Sequence, residues 1–258
     1  MNPKVSVIIT TYNRPESLKR AIKSVLNQDF KNFELIIVDD RSDAETGEAV
    51  ASFKDSRINF IQNPKNLGGT KSLNIGLKHA KGKYVCPLDD DDEWIDAQKL
   101  SKQLAFFKAH PDYLAVGTNA EVRLLNGAGE LIKIVKTKNP LLNEEIHDRL
   151  IFTNLIAHVS SIYGREKALI VGGYDENLER GKDWDLFLKL GKLGKLANLP
   201  DITVRFDEKR KVNLKYKDSR AKLRIIRKHR DYPHSLQAFT VEFARMCVFR
   251  ILMLFPSR

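Results

Sequence analysis

Through the first 110 residues, short uninterrupted apolar runs alternate with stretches of helical spacing. Residues 5–10, 33–38, 57–61 and 84–88 read as strands. Residues 16–26 place Leu18, Ala21, Ile22, Val25 and Leu26 at helical intervals, and residues 69–80 and 95–109 read as further helices. The polar run at 39–43 leads into another helix reaching residue 53. Strands alternating with helices predict a parallel sheet covered on both faces, and runs such as Leu35-Ile36-Ile37-Val38 suit burial on both sides. The expected fold is therefore α/β, a Rossmann-like, mostly parallel sheet with helices on both faces.

The second half is less regular. A strand is expected over residues 113–122, returning through 131–135 after an Asn126-Gly127-Ala128-Gly129 turn. Short helices are expected at 165–171 and 184–190. Beyond residue 205 the chain becomes a basic, helix-prone tail.

Charge sharpens that division. Of the net +11, the segment from Arg205 to Arg258 carries +10, with 15 Lys/Arg against 5 Asp/Glu, so the basicity belongs to the tail. The two cysteines, Cys86 and Cys247, match no metal-ligand spacing and fit a reducing compartment. The first apolar run is too short for a signal peptide and reads as a strand. No run of about 20 uncharged apolar residues is present to span a membrane. A cytoplasmic location is expected, with the alternative of peripheral attachment at the cytoplasmic face of the inner membrane.

Candidate chemistry lies at the ends of the strands. In open parallel sheets ligands bind outside the carboxyl ends of the strands. Three polar clusters follow strands here: Thr10-Thr11-Tyr12-Asn13, Asp39-Asp40, and the acidic run Asp89 to Asp92 before Glu93-Trp94. Four adjacent carboxylates repel one another and need solvent or a counter-cation. One reading is a divalent site, because hard oxygen ligands suit Mg2+ or Mn2+ completed by substrate phosphates. The other is a solvated acidic turn capping the helix that follows.

These clusters, in this order and spacing, resemble the family 2 glycosyltransferases, which have the A-type nucleotide-sugar-binding fold. The resemblance rests on Val5 to Pro15, on Phe33 to Asp40, and on Asn66-Leu67-Gly68-Gly69 with Ser72 to Gly76. It continues through Gly82-Lys83-Tyr84 into Leu88 to Trp94, and ends in Gly172 to Glu176 with Gly181 to Leu186. It covers roughly residues 3–205 and implies a catalytic domain of residues 1–205. Within that domain it implies a nucleotide-sugar-binding half (1–110) and an acceptor half (111–205), followed by a basic helical extension, 206–258.

The implied activity is inverting, metal-dependent transfer of a sugar from a nucleotide-diphosphate sugar, a UDP-sugar favoured, to a saccharide or lipid-linked acceptor in surface polysaccharide biosynthesis. Thr10 and Tyr12 would line the nucleobase pocket with Asn13 and Arg14 nearby, and Asp40 would accept hydrogen bonds from the base. Asp89 and Asp90 would face the ribose, and Asp91 would ligate Mn2+ or Mg2+. Lys71 would approach the diphosphate from the helix starting at Gly69. Asp183 would deprotonate the acceptor hydroxyl, with Asp185 a competing candidate, and His158 and Trp184 would lie on the acceptor side. The chain departs from the family at Lys182, where Glu or Gln is usual before that aspartate.

The tail admits two readings. Its residues 219–230 form a cationic helix, and residues 236–255 are apolar but carry Glu242, Arg245 and Arg250. Each such charge costs about 2.5–3.5 kcal/mol at a bilayer centre, which nearly cancels the apolar gain and argues against spanning. The tail either lies on a membrane surface, attracted to anionic lipid, or packs on the catalytic domain or into a homodimer. Two other classes fit the sequence less well. A nucleotidyltransferase should show a glycine-rich basic loop after the first strand, and Thr10 to Pro15 is not one. A nucleic-acid-binding tail should interleave stacking aromatics with its cations, and residues 219–230 contain none, so nucleic acid is not an expected partner.

Overall fold

The computed structural model describes residues 3–178, 180–209 and 212–254; side chains of residues 209–218 and 249–254, Arg250 among them, lie outside that description. The chain opens with β1 (Val5–Thr11), α1 (Pro15–Leu26), β2 (Phe33–Asp39), α2 (Ala44–Ala51), β3 (Ile58–Gln62), α3 (Gly69–His79) and β4 (Tyr84–Asp89). It continues with β5 (Glu93–Trp94), α4 (Lys99–Ala109), β6 (Tyr113–Leu125), β7 (Leu131–Lys136) and α5 (Asn143–Arg149). After one 3-10 turn at His158–Ser160 come β8 (Ile162–Gly164), α6 (Arg165–Ile170), α7 (Lys182–Gly191), β9 (Lys195–Lys209), α8 (Val212–Lys228) and α9 (Ser235–Leu254).

Among the described residues all nine strands join one sheet, ordered β3-β2-β1-β4-β8-β6-β9-β5, with β7 paired to β6. The first four are parallel, as the alternation of runs and helices predicts. The sheet then becomes mixed, because β8 runs antiparallel to both β4 and β6.

The continuous apolar runs are buried on both faces. Ile8, Ile36 and Val38 pack with Leu73 and Leu77 of α3 in one apolar cluster. Their neighbours Val7, Ile9, Leu35 and Ile37 pack with Leu18 and Ile22 of α1 and Leu100 and Leu104 of α4 in another. Side chains alternate across a strand, so one run feeds both layers. Gly76 lets α3 lie close to the sheet: a Cβ there would meet Ile8 Cγ2 at 2.5 Å.

Two expectations need correction. The helix expected from residue 95 starts at Lys99; before it, Glu93 and Trp94 pair with Arg205 and Val204 of β9. Asp96 ends that strand by accepting the Gln98 N–H on its side chain at 2.8 Å. The long strand β9 was not expected at all. Its Asn198, Pro200 and Asp201 interrupt any alternating pattern, and its pairing with β6 shifts register around Thr118, Asn119 and Ala120.

The tail folds back on the domain. Ile225 and Ile226 of α8, Tyr232 of the connection that follows and Ala238 of α9 are buried in the same apolar cluster as Leu150 and Trp184. The compositional change at residue 206 therefore falls inside β9. Among the described residues no helix is long and apolar enough to cross a membrane.

Candidate active site

The parallel register sets Thr10 opposite Val38 on one side and Asp89 on the other. The carboxyl ends of β1, β2 and β4 thus lie side by side, and the residues that follow them share an open cleft of about 440 Å3. Thr10, Tyr12, Arg14, Asp40 and Asp89 to Asp91 line it, and Lys182 enters from α7. Tyr12 is 49% exposed at this cleft, so its ring is free to take a planar ligand.

The carboxylates are not equivalent. Asp40 is buried and accepts from Asn63 Nδ2 (2.8 Å) and the backbone N–H groups of Leu67 (2.8 Å) and Gly68 (2.7 Å). Burial works against its charge, but these donors outweigh it and hold its pKa below the ordinary value. Asp39 instead accepts from the Ser42 N–H and from Gln62 Nε2 (2.8 Å). Asp90 is buried, taking the Thr11 hydroxyl at 2.7 Å and Arg14 Nη1 at 3.0 Å. The same Arg14 Nη1 lies 2.6 Å from Asp91 Oδ2, and Asp91 is half exposed.

Negative charge remains in excess here. Burial raises the pKa of Asp89, against the pull of Lys182 and Arg14. Asp92 is pushed up to about 9 by burial and by the charges of Asp89, Asp91, Asp207 and Asp90. Such a cluster fits a divalent cation. Among the described residues no three His, Cys, Asp or Glu side chains gather as a ready-made cage. Mg2+ and Mn2+ take one or two carboxylates and complete their shell from phosphate and water.

The smaller cleft, about 230 Å3, contains Asp183 and is bordered by Thr153, Asn154 and the α8 residues Ala221, Lys222 and Ile225. Asn154 Nδ2 donates to Asp183 Oδ2 at 2.7 Å. Gly181, with φ of 72°, makes the turn into α7 in the left-handed region; a Cβ there would also meet Ile225 Cδ1 at 2.5 Å.

Several expected residues are placed elsewhere. Asn13, with φ of 53°, ties loops together: its N–H donates to Ser42 Oγ (2.8 Å) and its Oδ1 accepts the Asp43 N–H (2.9 Å). Lys71 is exposed on α3 and does not line the cleft; the lysine that does is Lys182. His158 borders neither cleft. Its Nε2 is 2.9 Å from the Tyr174 hydroxyl, which in turn is 2.8 Å from that of Tyr163, and burial lowers its pKa to about 4. Trp184 borders the smaller cleft but is buried and donates its indole N–H to the Leu150 carbonyl at 2.5 Å, so it anchors α7.

Asp185 is fully buried and faces His229 Nε2 (2.8 Å), Lys228 Nζ (2.8 Å) and Lys189 Nζ (2.9 Å), so it belongs to the packing of α8. Thr11, part of the first polar cluster but given no role there, lines the donor cleft and holds Asp90, whereas Asn154 had no sequence signal, lying 29 positions from the aspartate it holds.

The mixed α/β sheet, with carboxylates and an aromatic ring at the ends of its parallel strands, has the A-type glycosyltransferase fold. The chain matches the model for glycosyl transferase family 2 over residues 6–170 and belongs to that family. It is 32% identical over 194 residues to the putative colanic acid biosynthesis glycosyl transferase WcaA of Escherichia coli, covering 73% of this chain and 66% of WcaA. It is also 40% identical over 104 residues to an Escherichia coli UDP-Glc:alpha-D-GlcNAc-diphosphoundecaprenol beta-1,3-glucosyltransferase, WfaP, covering 40% of this chain and 41% of WfaP.

The chain spans about two thirds of the length of the first curated relatives it matches, 65% and 66%. Solved structures share the fold. S. aureus TarS in complex with UDP-GlcNAc superposes with a TM-score of 0.70 at 20% identity, over 98% of this chain and 76% of that one. The mannosyltransferase PcManGT of Pyrobaculum calidifontis, in complex with GDP-Man and Mn2+, gives 0.68 at 17% identity, over 100% and 77%.

Proposed function

We propose that the chain is an inverting, metal-dependent glycosyltransferase that takes a sugar from a nucleotide-diphosphate sugar, a UDP-sugar favoured, and passes it to a hydroxyl. The observation that carries this reading is the single cleft shared by Tyr12, Asp40 and Asp89 to Asp91. The base stacks on Tyr12 beside Asp40, which lines the same cleft and accepts from the base edge. Thr10, Asp89 and Asp90 line the ribose. Arg14, held between Asp90 and Asp91, keeps the acidic run in place.

Asp91, with Asp89 beside it, would hold Mn2+ or Mg2+, which when bound supplies neutralising charge at the departing diphosphate. Asp183, oriented by Asn154, accepts the proton of the acceptor hydroxyl. That oxygen bonds to the anomeric carbon as the carbon–phosphate oxygen bond breaks on the opposite face, and the configuration inverts. A base for this step must stay ionised within hydrogen-bond reach of the hydroxyl.

On this reading residues 1–110 serve the donor and 111–205 the acceptor, while residues 206–258 wall the acceptor cleft through α8. The names of WcaA and WfaP support a saccharide or lipid-linked acceptor in surface polysaccharide assembly. Exposed Arg220, Arg224 and Arg227 lie on the face of α8 opposite the buried Ile225, Ile226 and His229. This cationic face suits the anionic cytoplasmic surface of a membrane where a lipid-linked acceptor would be met.

The test is a panel of UDP- and GDP-sugars assayed for nucleoside diphosphate release. Release that needs Mn2+ or Mg2+ and vanishes in EDTA is expected with at least one donor. No release from any donor, or release indifferent to chelation, contradicts the proposal.

A further inference from the structure

Lys182 stands where the family resemblance expects Glu or Gln, and its side chain enters the donor cleft. Its Nζ lies 3.8 Å from the point a Cβ on Gly69 would occupy, so the missing side chain at the start of α3 leaves room for the ammonium. Among the described residues it makes no hydrogen bond or ion pair, whereas Arg14, the other cation of the cleft, is committed to Asp90 and Asp91.

Its place along the cleft identifies what it can meet. Lys182 shares the donor cleft with Tyr12 and Asp40, which on the donor-site reading take the nucleoside, and its charge acts on Asp89; the next residue along the chain, Asp183, lines the smaller cleft that on the same reading takes the acceptor. Between nucleoside and acceptor lie the diphosphate and the anomeric carbon. We propose that Lys182 binds the β-phosphate of the donor and stabilises it as the leaving group. This rests on the donor-site reading above. As the anomeric C–O bond breaks, its electron pair passes to the β-phosphate oxygen. The acceptor oxygen forms the new bond, and its proton goes to Asp183. Lys182 donates a charge-assisted hydrogen bond to the oxygen that gains charge. A Glu or Gln at this position offers no cation, so this chain carries a charge at the leaving group that the usual motif lacks.

The experiment is calorimetric titration of UDP, GDP and UMP into wild type, Lys182→Gln and Lys182→Arg, all in EDTA so that the lysine acts without a metal. Thermal unfolding of each variant is expected at the wild-type temperature, because Lys182 holds nothing else in place. Lys182→Gln should bind UDP about tenfold more weakly, equal to about 1.4 kcal/mol, while UMP binding stays within about twofold and Lys182→Arg retains most of the UDP affinity. Unchanged UDP binding in Lys182→Gln, or equal losses for UDP and UMP, overturns this inference and leaves the donor site standing. Wild type that binds UDP or GDP only when Mn2+ replaces the EDTA overturns this inference alone; wild type that binds neither even with Mn2+ removes the donor site itself, and this inference with it.

Discussion

His229 Nε2 lies 2.8 Å from Asp185 Oδ1, and this buried contact fastens α8 to α7 two residues beyond the aspartate proposed as the base. Burial alone would raise the Asp185 pKa. His229, Lys228 and Lys189 outweigh it and hold the carboxylate well below its usual range. Removing one partner of a buried pair costs about 3–5 kcal/mol. Asp185→Ala should therefore lower the unfolding temperature substantially. A variant as stable as wild type, measured by thermal unfolding, would show that the contact does not hold the tail.

Asp183→Asn should behave in the opposite way. Its carboxylate is bound by Asn154 at the cleft and, among the described residues, makes no hydrogen bond or ion pair to the tail, so stability and UDP affinity should stay near wild type. Transfer should fall by about 10²–10⁴-fold, the usual contribution of a general base. Undiminished turnover in Asp183→Asn would remove it from the mechanism.

The acid side of the stability profile should report His158. Burial lowers its pKa from the ordinary 6.5 to about 4, with Asp183 opposing and Lys182 adding to the effect. A histidine that binds its proton more readily unfolded contributes fully above 6.5, and that contribution is lost as pH falls toward 4. Asp185, with its folded pKa also depressed, contributes above its unfolded value of 3.8 and is lost only below it. Asp92, raised to about 9, acts in the opposite sense but in both proteins, so the denaturation midpoint of wild type should fall relative to that of His158→Gln as pH drops from 6.5 to 4. Parallel profiles for the two proteins would refute the assignment.

Tyr12→Ala removes the exposed ring beside Thr10. Base–aromatic stacking is worth about 1–3 kcal/mol, so UDP and UMP should both weaken by roughly tenfold or more. Equal weakening of the two separates Tyr12 from Lys182, whose loss should be felt by UDP alone. An unchanged UMP affinity in a titration would place the base elsewhere.

The donor half was legible because its strands are unbroken apolar runs buried on both faces, and the polar residues ending each run can only lie along one sheet edge. Thr10, Asp40 and Asp89 could be grouped from that alone. The acceptor half was less legible because its contacts are long-range: β9 hides behind Pro200, and Asn154 reaches Asp183 from a loop. Lys71 and Lys182 show the limit most clearly. Both precede or begin helices near the cleft, but helix phase decides which ammonium enters, and phase depends on the Gly181 turn. Asp183 and Asp185, two apart on α7, were separable only once α8 was seen to cover the second.

The central claim is that Asp91 joins a divalent cation to a donor diphosphate in the cleft beside Tyr12. Measuring UDP affinity with and without Mn2+, in wild type and in Asp91→Asn, tests it most directly. The account predicts that Mn2+ tightens UDP binding to wild type by about tenfold or more, a difference of about 1.4 kcal/mol, and leaves Asp91→Asn unmoved. An equal response to Mn2+ in both proteins, or none in wild type, would contradict it.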